Sequence, residues 1–268
     1  MDDLAALRLQ IEWGADEALE DEPVDRLSGQ APPPPRPSAA PQDREFGTPS
    51  PMQLGRIGEG VRGAPVERAM QAAAGARTLA ELRAAIAGFD GCSLRDTASN
   101  LVFAEGDPSS GLLLIGEAPG ADEDRSGQPF AGAAGAYLDR MLGSIGLERS
   151  RLLVSPLIPW RPPGDRPPSQ SEVTMCLPFL FRLVIITAPR RLLLLGPLAA
   201  RAMLGQAGSR RRPRGTWLDT VIPGLPQPPP ALPTFGPGEL MRTPRDRKSA
   251  WADLRLLRRT LDADVAEK

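Results

Sequence analysis

Histidine is absent from all 268 residues, so any step that other sites give to an imidazole has no such group here. The two cysteines, Cys92 and Cys176, are too few for a disulfide framework. Met1-Asp-Asp-Leu carries neither a basic start nor an apolar leader segment, which makes a cytoplasmic protein the expectation. Arginines break the most apolar stretch, around residues 179–195, before it reaches the roughly eighteen residues of a membrane helix, and no membrane partner is expected. What the chain has in excess is proline, 31 in all, too many for one compact unit but in keeping with one domain plus an extended segment.

The net charge of −1 hides an asymmetry. Residues 1–30 hold nine acids against Arg8 and Arg26, while the chain from Pro189 onward holds fifteen Arg and Lys against seven acids. A basic C-terminal part is able to meet phosphate, although a solvated basic face looks the same. Leu4, Leu7 and Ile11 recur at helical spacing with acids opposite, so residues 1–29 read as an acidic amphipathic helix able to dock on the domain or on a protein partner. Residues 30–65, with the run Ala-Pro-Pro-Pro-Pro-Arg-Pro-Ser, lack apolar periodicity and read as a disordered linker. The folded domain is expected over 66–268.

Within it, two helices are expected at 66–74 and 78–89, the second opened by Thr78 with Glu81 in capping-box position. Strands follow at 112–115, 152–157, 191–195 and 231–235, alternating with helices at 132–145, 172–187, 198–204 and 247–263. Such alternation implies an α/β fold, a parallel sheet covered on both faces.

The centre of the chain is Gly116-Glu-Ala-Pro-Gly-Ala-Asp-Glu-Asp-Arg-Ser-Gly-Gln-Pro-Phe-Ala-Gly-Ala-Ala-Gly135, directly after the apolar strand Leu112-Leu-Leu-Ile115. Its place at the carboxyl end of a buried strand is where α/β sheets keep ligands. Glycines admit close approach, a proline fixes the turn, carboxylates cluster, and one aromatic, Phe130, offers a flat face. The glycine spacing fits neither a dinucleotide fingerprint nor a phosphate-cradling loop followed by Lys-Ser/Thr.

This stretch closely resembles the first motif of the uracil-DNA glycosylase superfamily, in its iron–sulfur family 4. Every fixed position of that pattern is kept except a Val, here Ala131. The resemblance implies a three-layer αβα sandwich around a four-stranded parallel sheet. It further implies that Glu117 orients water or stabilises a cationic sugar, that Gly116, Ala118, Pro119 and Gly120 line the base pocket, and that Phe130 stacks on the base. Glu117 is equally able to cap a turn, and Phe130 to enter the core.

The other motifs are altered. The family's base-reading Asn is replaced by Pro156, which has no side-chain donor or acceptor and no N–H. The His that stabilises charge on the leaving base is replaced by Gly236. The family's cluster is held by four cysteines; here those positions read Cys92, Arg95, Trp160 and Cys176, so no iron–sulfur cofactor is expected, Arg95 and Trp160 filling the space as a cation–π pair. DNA remains the expected partner, met by Arg161, Arg166, Arg210, Arg211, Arg212, Arg214, Arg242 and Lys248, with Leu240 and Met241 as an apolar wedge in the groove. The expectation is therefore a monomeric DNA-repair-type protein. It either hydrolyses the N-glycosidic bond of a flipped uracil or other deaminated base with weakened activity, or is an inactive relative that binds DNA or protein.

Overall fold

The computed structural model describes residues 64–205 and 214–266. The expected N-terminal helix and linker, and Arg210, Arg211 and Arg212, lie outside the described residues. The domain opens with α1 (Ala64–Gly75), α2 (Leu79–Gly88) and the short α3 (Leu94–Thr97). Thr78 caps α2 as expected: its hydroxyl accepts from the Glu81 N–H, and the Glu81 carboxylate accepts from the Thr78 N–H.

The sheet is built from β1 (Glu105–Gly106), β2 (Leu112–Gly116), β3 (Leu153–Pro156), β4 (Arg191–Leu195) and β5 (Ala231–Thr234), in spatial order β1-β3-β2-β4-β5. The last four run parallel, as the alternating pattern implied. The expected four strands gain a fifth, because β1 pairs antiparallel with β3 through only Glu105 and Gly106. Two exposed residues carry no periodicity, so nothing in the sequence marked this edge.

Alternation along the strands divides the apolar side chains between two layers. Leu113, Ile115, Leu192 and Leu194 face one core with α1, α2, α6 (Gln170–Thr187) and α7 (Pro197–Met203). Leu112, Leu114, Leu193 and Leu195 face the other, formed with α5 (Gly132–Ser144) and α9 (Arg247–Ala266). A strand buried on both faces must be apolar at every position, and Leu192-Leu-Leu-Leu195 meets that demand. Contrary to the expectation from the stretch 179–195, α6, whose one arginine is Arg182, has the length and hydropathy of a membrane span. Here it is a core helix, burying Val173, Cys176, Phe179, Leu180, Leu183 and Val184 beside α1 and α2. Two further helices replace expected loops: α4 (Ala121–Ser126) inside the central stretch and α8 (Pro237–Arg242) after β5.

Candidate functional site

The carboxyl ends of the four parallel strands bring the central motif together with the two altered positions. Gly116 and Pro156 pair in the last rung between β2 and β3. Phe130 takes a left-handed backbone conformation, φ 54°, rare for an aromatic residue, and the Cζ edge of its ring approaches the strand end at Gly116. A Cβ on Gly116 would stand 2.6 Å from the ring Cζ, so only glycine lets the ring approach. Half-buried, Phe130 packs one side on the core cluster of α5 and α9.

Glu117 points along the strand ends to the start of α7. Its Oε1 accepts from the Leu198 N–H at 2.7 Å, meeting one of the unpaired amides of that helix N-terminus. Gly196, at φ 109°, leaves the room: a Cβ there would lie 2.7 Å from the Glu117 carboxyl carbon. Gly196 also adjoins Gly236, where the nearest atoms to an added Cβ would be the Leu195 carbonyl oxygen at 3.5 Å and the Gly196 Cα and Leu195 carbonyl carbon at 3.8 Å. Gly236, the position that the resemblance matches to a His, thus lies next to Gly196, which borders Glu117, and meets no close contact at its root.

The loop between is strapped down by carboxylates. Glu123 accepts from the Gly120 N–H at 2.9 Å, and its burial pushes its carboxyl above the usual range. Asp124 is buried and accepts from the Ser99 and Asn100 N–H groups at 2.8 and 3.2 Å, while Asn100 Nδ2 donates to its carbonyl at 2.7 Å. Ala118, Pro119 and Gly120 therefore enter a fixed bend, the carboxylates having been spent on the fold.

The basic residues divide into two groups. Arg161 donates to Asp165 at 2.7 and 3.1 Å, and Arg166 forks onto Glu172 at 2.9 and 2.6 Å. Arg214 reaches the Ser249 carbonyl at 2.9 Å and Asp253 at 3.2 Å, and lies over the Phe235 ring. Those three are paired within the fold, Arg166 while its side chain is 45% exposed, and Arg242 and Lys248 are exposed. Leu240 corrects the expectation of a wedge: it is fully buried in the core between α8 and α5. Its neighbour Met241, 41% exposed, is the apolar side chain left outside.

Two residues that sequence reasoning missed also shape the site. Gly196 carries a weak signal, a Gly-Pro pair ending a strand. Arg149, whose guanidinium holds the Phe130 carbonyl at 2.6 Å, carries none.

At the remnant cluster positions, Cys92 and Cys176 are both buried and hydrogen-bonded to each other. The Cys176 thiol lowers Cys92 to about 7, while the same bond and burial raise Cys176 well above its ordinary value. Trp160 is buried, but Arg95 is exposed with its guanidinium on the Phe89 carbonyl. The cation–π pairs among the described residues are made by Arg140, Arg191, Arg214 and Arg247, which replaces the expected Arg95–Trp160 pair. Two thiols, an indole and a solvated guanidinium do not fit a four-iron cluster, and no group of three or more His, Cys, Asp or Glu suited to a metal occurs among the described residues.

A family model of the uracil-DNA glycosylase superfamily matches residues 103–255, more than half of the chain and every element of the site. The chain belongs to the uracil-DNA glycosylase superfamily. Its similarity runs to the type-4 branch. It is 38% identical over 137 residues to the type-4 uracil-DNA glycosylase of Pyrobaculum aerophilum, covering 51% of this chain and 70% of the relative. With that of Thermotoga maritima it shares 32% over 152 residues, 56% and 77% of the two chains. With that of Saccharolobus solfataricus the figure is 30% over 177 residues, 64% and 81%. In this uracil-DNA glycosylase relative the central motif keeps its frame, while the positions that the resemblance assigns to polar or ligating groups hold Pro156, Gly236, Arg95 and Trp160.

Proposed function

We propose that this superfamily member binds DNA and accommodates an extrahelical base at the ends of β2 to β5, with N-glycosidic hydrolysis weak or lost. The observation that carries the reading is the company of Glu117. Its carboxylate is committed to the Leu198 N–H, and the two neighbouring positions suited to reading and activating a base are a proline and a glycine.

Base excision needs a flipped base stacked, its edge read and its departing charge stabilised. Phe130 supplies the stack. Edge reading is absent at Pro156, and one such hydrogen-bonding group is worth up to about 10⁴ in selectivity. Charge stabilisation is absent at Gly236, and one preorganised donor is worth roughly 10²–10³ in rate. Binding outlives both losses because Arg242, Lys248 and Met241 remain exposed on the same side.

The test is a pair of measurements on uracil-, hypoxanthine- and xanthine-containing strands: equilibrium binding, and single-turnover excision with Glu117→Gln as control. Tight, salt-dependent binding with little or no excision supports the reading. Fast excision abolished by Glu117→Gln restores an enzyme in its place, and absence of DNA binding leaves a protein-interaction role.

A further inference from the structure

The ring of Phe130 is held by a device outside the central motif. Its carbonyl accepts from Arg149 Nη1 at 2.6 Å, and the preceding Pro129 carbonyl lies 3.4 Å from the same nitrogen. Arg149 Nε in turn meets Asp139 Oδ1 on α5 at 2.8 Å. The guanidinium leaves the 3-10 turn Arg149–Arg151, which the Leu152 N–H closes on the Arg149 carbonyl at 3.0 Å immediately before β3 begins at Leu153. Chain, helix and guanidinium thus close a ring on the peptide of Phe130, whose φ is left-handed.

Gly135 completes the arrangement, since any Cβ there would collide with the Phe130 carbonyl oxygen and crowd Arg149 Nη1. A left-handed aromatic residue persists only where its surroundings over-determine it. Here those surroundings are the Arg149 fork, the Asp139 carboxylate that aims it, and the bare Cα of Gly135. The Arg149 side chain is 30% exposed and lines a wide surface groove beside Phe130.

From this geometry we infer that Arg149 is a positioning residue for base binding: it acts through the Phe130 carbonyl to hold the ring in the orientation against which an extrahelical base would stack. The inference rests on the reading of Phe130 as the base platform. It assigns to Arg149 a part that its charge alone does not, because a simple phosphate contact would strengthen all DNA binding equally.

The experiment compares binding of the whole chain to a duplex with a bulged uracil and to the same duplex fully paired. The preference between the two is measured in wild type, Arg149→Ala, Phe130→Ala and the double variant. Arg149→Ala is expected to lower the preference about tenfold, the worth of one base–aromatic stack, while affinity for the paired duplex stays within about twofold. Because both changes remove the same stack, the double variant should match Phe130→Ala alone. Asp139→Asn, which loosens the guanidinium without emptying its site, should lower the preference by a smaller factor and carries the test if Arg149→Ala does not fold. An additive double variant, or equal weakening on both duplexes, overturns the inference in favour of a phosphate contact. A wild type with no preference for the bulge overturns the platform reading itself, and the inference with it.

Discussion

Arg166 offers the sharpest separation between a residue that serves the fold and one that serves DNA. Its guanidinium forks onto Glu172, whose side chain is 7% exposed, and Glu172 also accepts from the Ser169 N–H at 2.7 Å as the capping carboxylate of α6. The Arg166 bonds are the largest cause holding Glu172 down at about 2 from its ordinary 4.5. At 1.36 kcal/mol per pKa unit the shift alone would amount to about 3 kcal/mol, but Arg166 is 45% exposed and solvent screening cuts the contribution of the ionised form at neutral pH to about 1 kcal/mol. Arg166→Ala leaves the Ser169 contacts, so part of that contribution should be lost and the unfolding midpoint should fall modestly. A depressed carboxylate contributes above its unfolded value and loses that contribution as pH falls. Wild type should therefore weaken between about pH 4.5 and 2, and the variant should weaken less over that window. Urea unfolding at pH 7 and pH 3 reads both effects. An unchanged midpoint at pH 7, with DNA affinity reduced, would refute the structural role and restore Arg166 to the phosphate contacts.

The neighbouring pair Leu240 and Met241 should divide in the same way. Leu240→Ala, which empties a fully buried site, should cost about 2–5 kcal/mol, and Met241→Ala under about 0.5 kcal/mol with its effect on DNA binding alone; unfolding midpoints in the opposite order would contradict the packing. Asp253, buried beneath β5, has its carboxyl raised by burial although the Thr234 hydroxyl and Arg214 pull against that. Its ionisation therefore opposes folding, so its contribution falls as pH rises from 3.8 through the folded value; Asp253→Asn should flatten that slope, and an unaltered profile would contradict the assignment. Incubation of reduced protein with iron and sulfide should leave it colourless, because the donor set is two thiols only; a brown product would show that other ligands complete a cluster.

The four parallel strands were legible because each is a short apolar run bounded by glycine or proline, and the strand ends then fixed where the site would lie. α4 was not, since Ala-Asp-Glu-Asp-Arg-Ser has no apolar face and gains its helix from tertiary straps at Asp124. α8 escaped for the same reason of length: six residues hold too little of a 3.6-residue period to show that Leu240 turns inward. That Pro156 and Gly236 carry no polar side chain could be read from residue type alone. The way Phe130 is held could not, because a left-handed φ and the Arg149 and Gly135 contacts behind it arise only when segments far apart in the chain meet. Arginine was the least legible residue, its charge being equally suited to a phosphate and to a carboxylate such as Glu172 six positions on.

The central claim, that the base pocket stands and only its polar groups have gone, is tested most directly by putting them back. Gly236→His meets no backbone clash at its Cβ, and Pro156→Asn restores an edge reader at the paired strand end. Single-turnover excision of uracil by the double variant should exceed that of wild type by roughly 10² or more, and Glu117→Gln should abolish the gain. A folded double variant that binds DNA yet excises no faster than wild type would contradict the account.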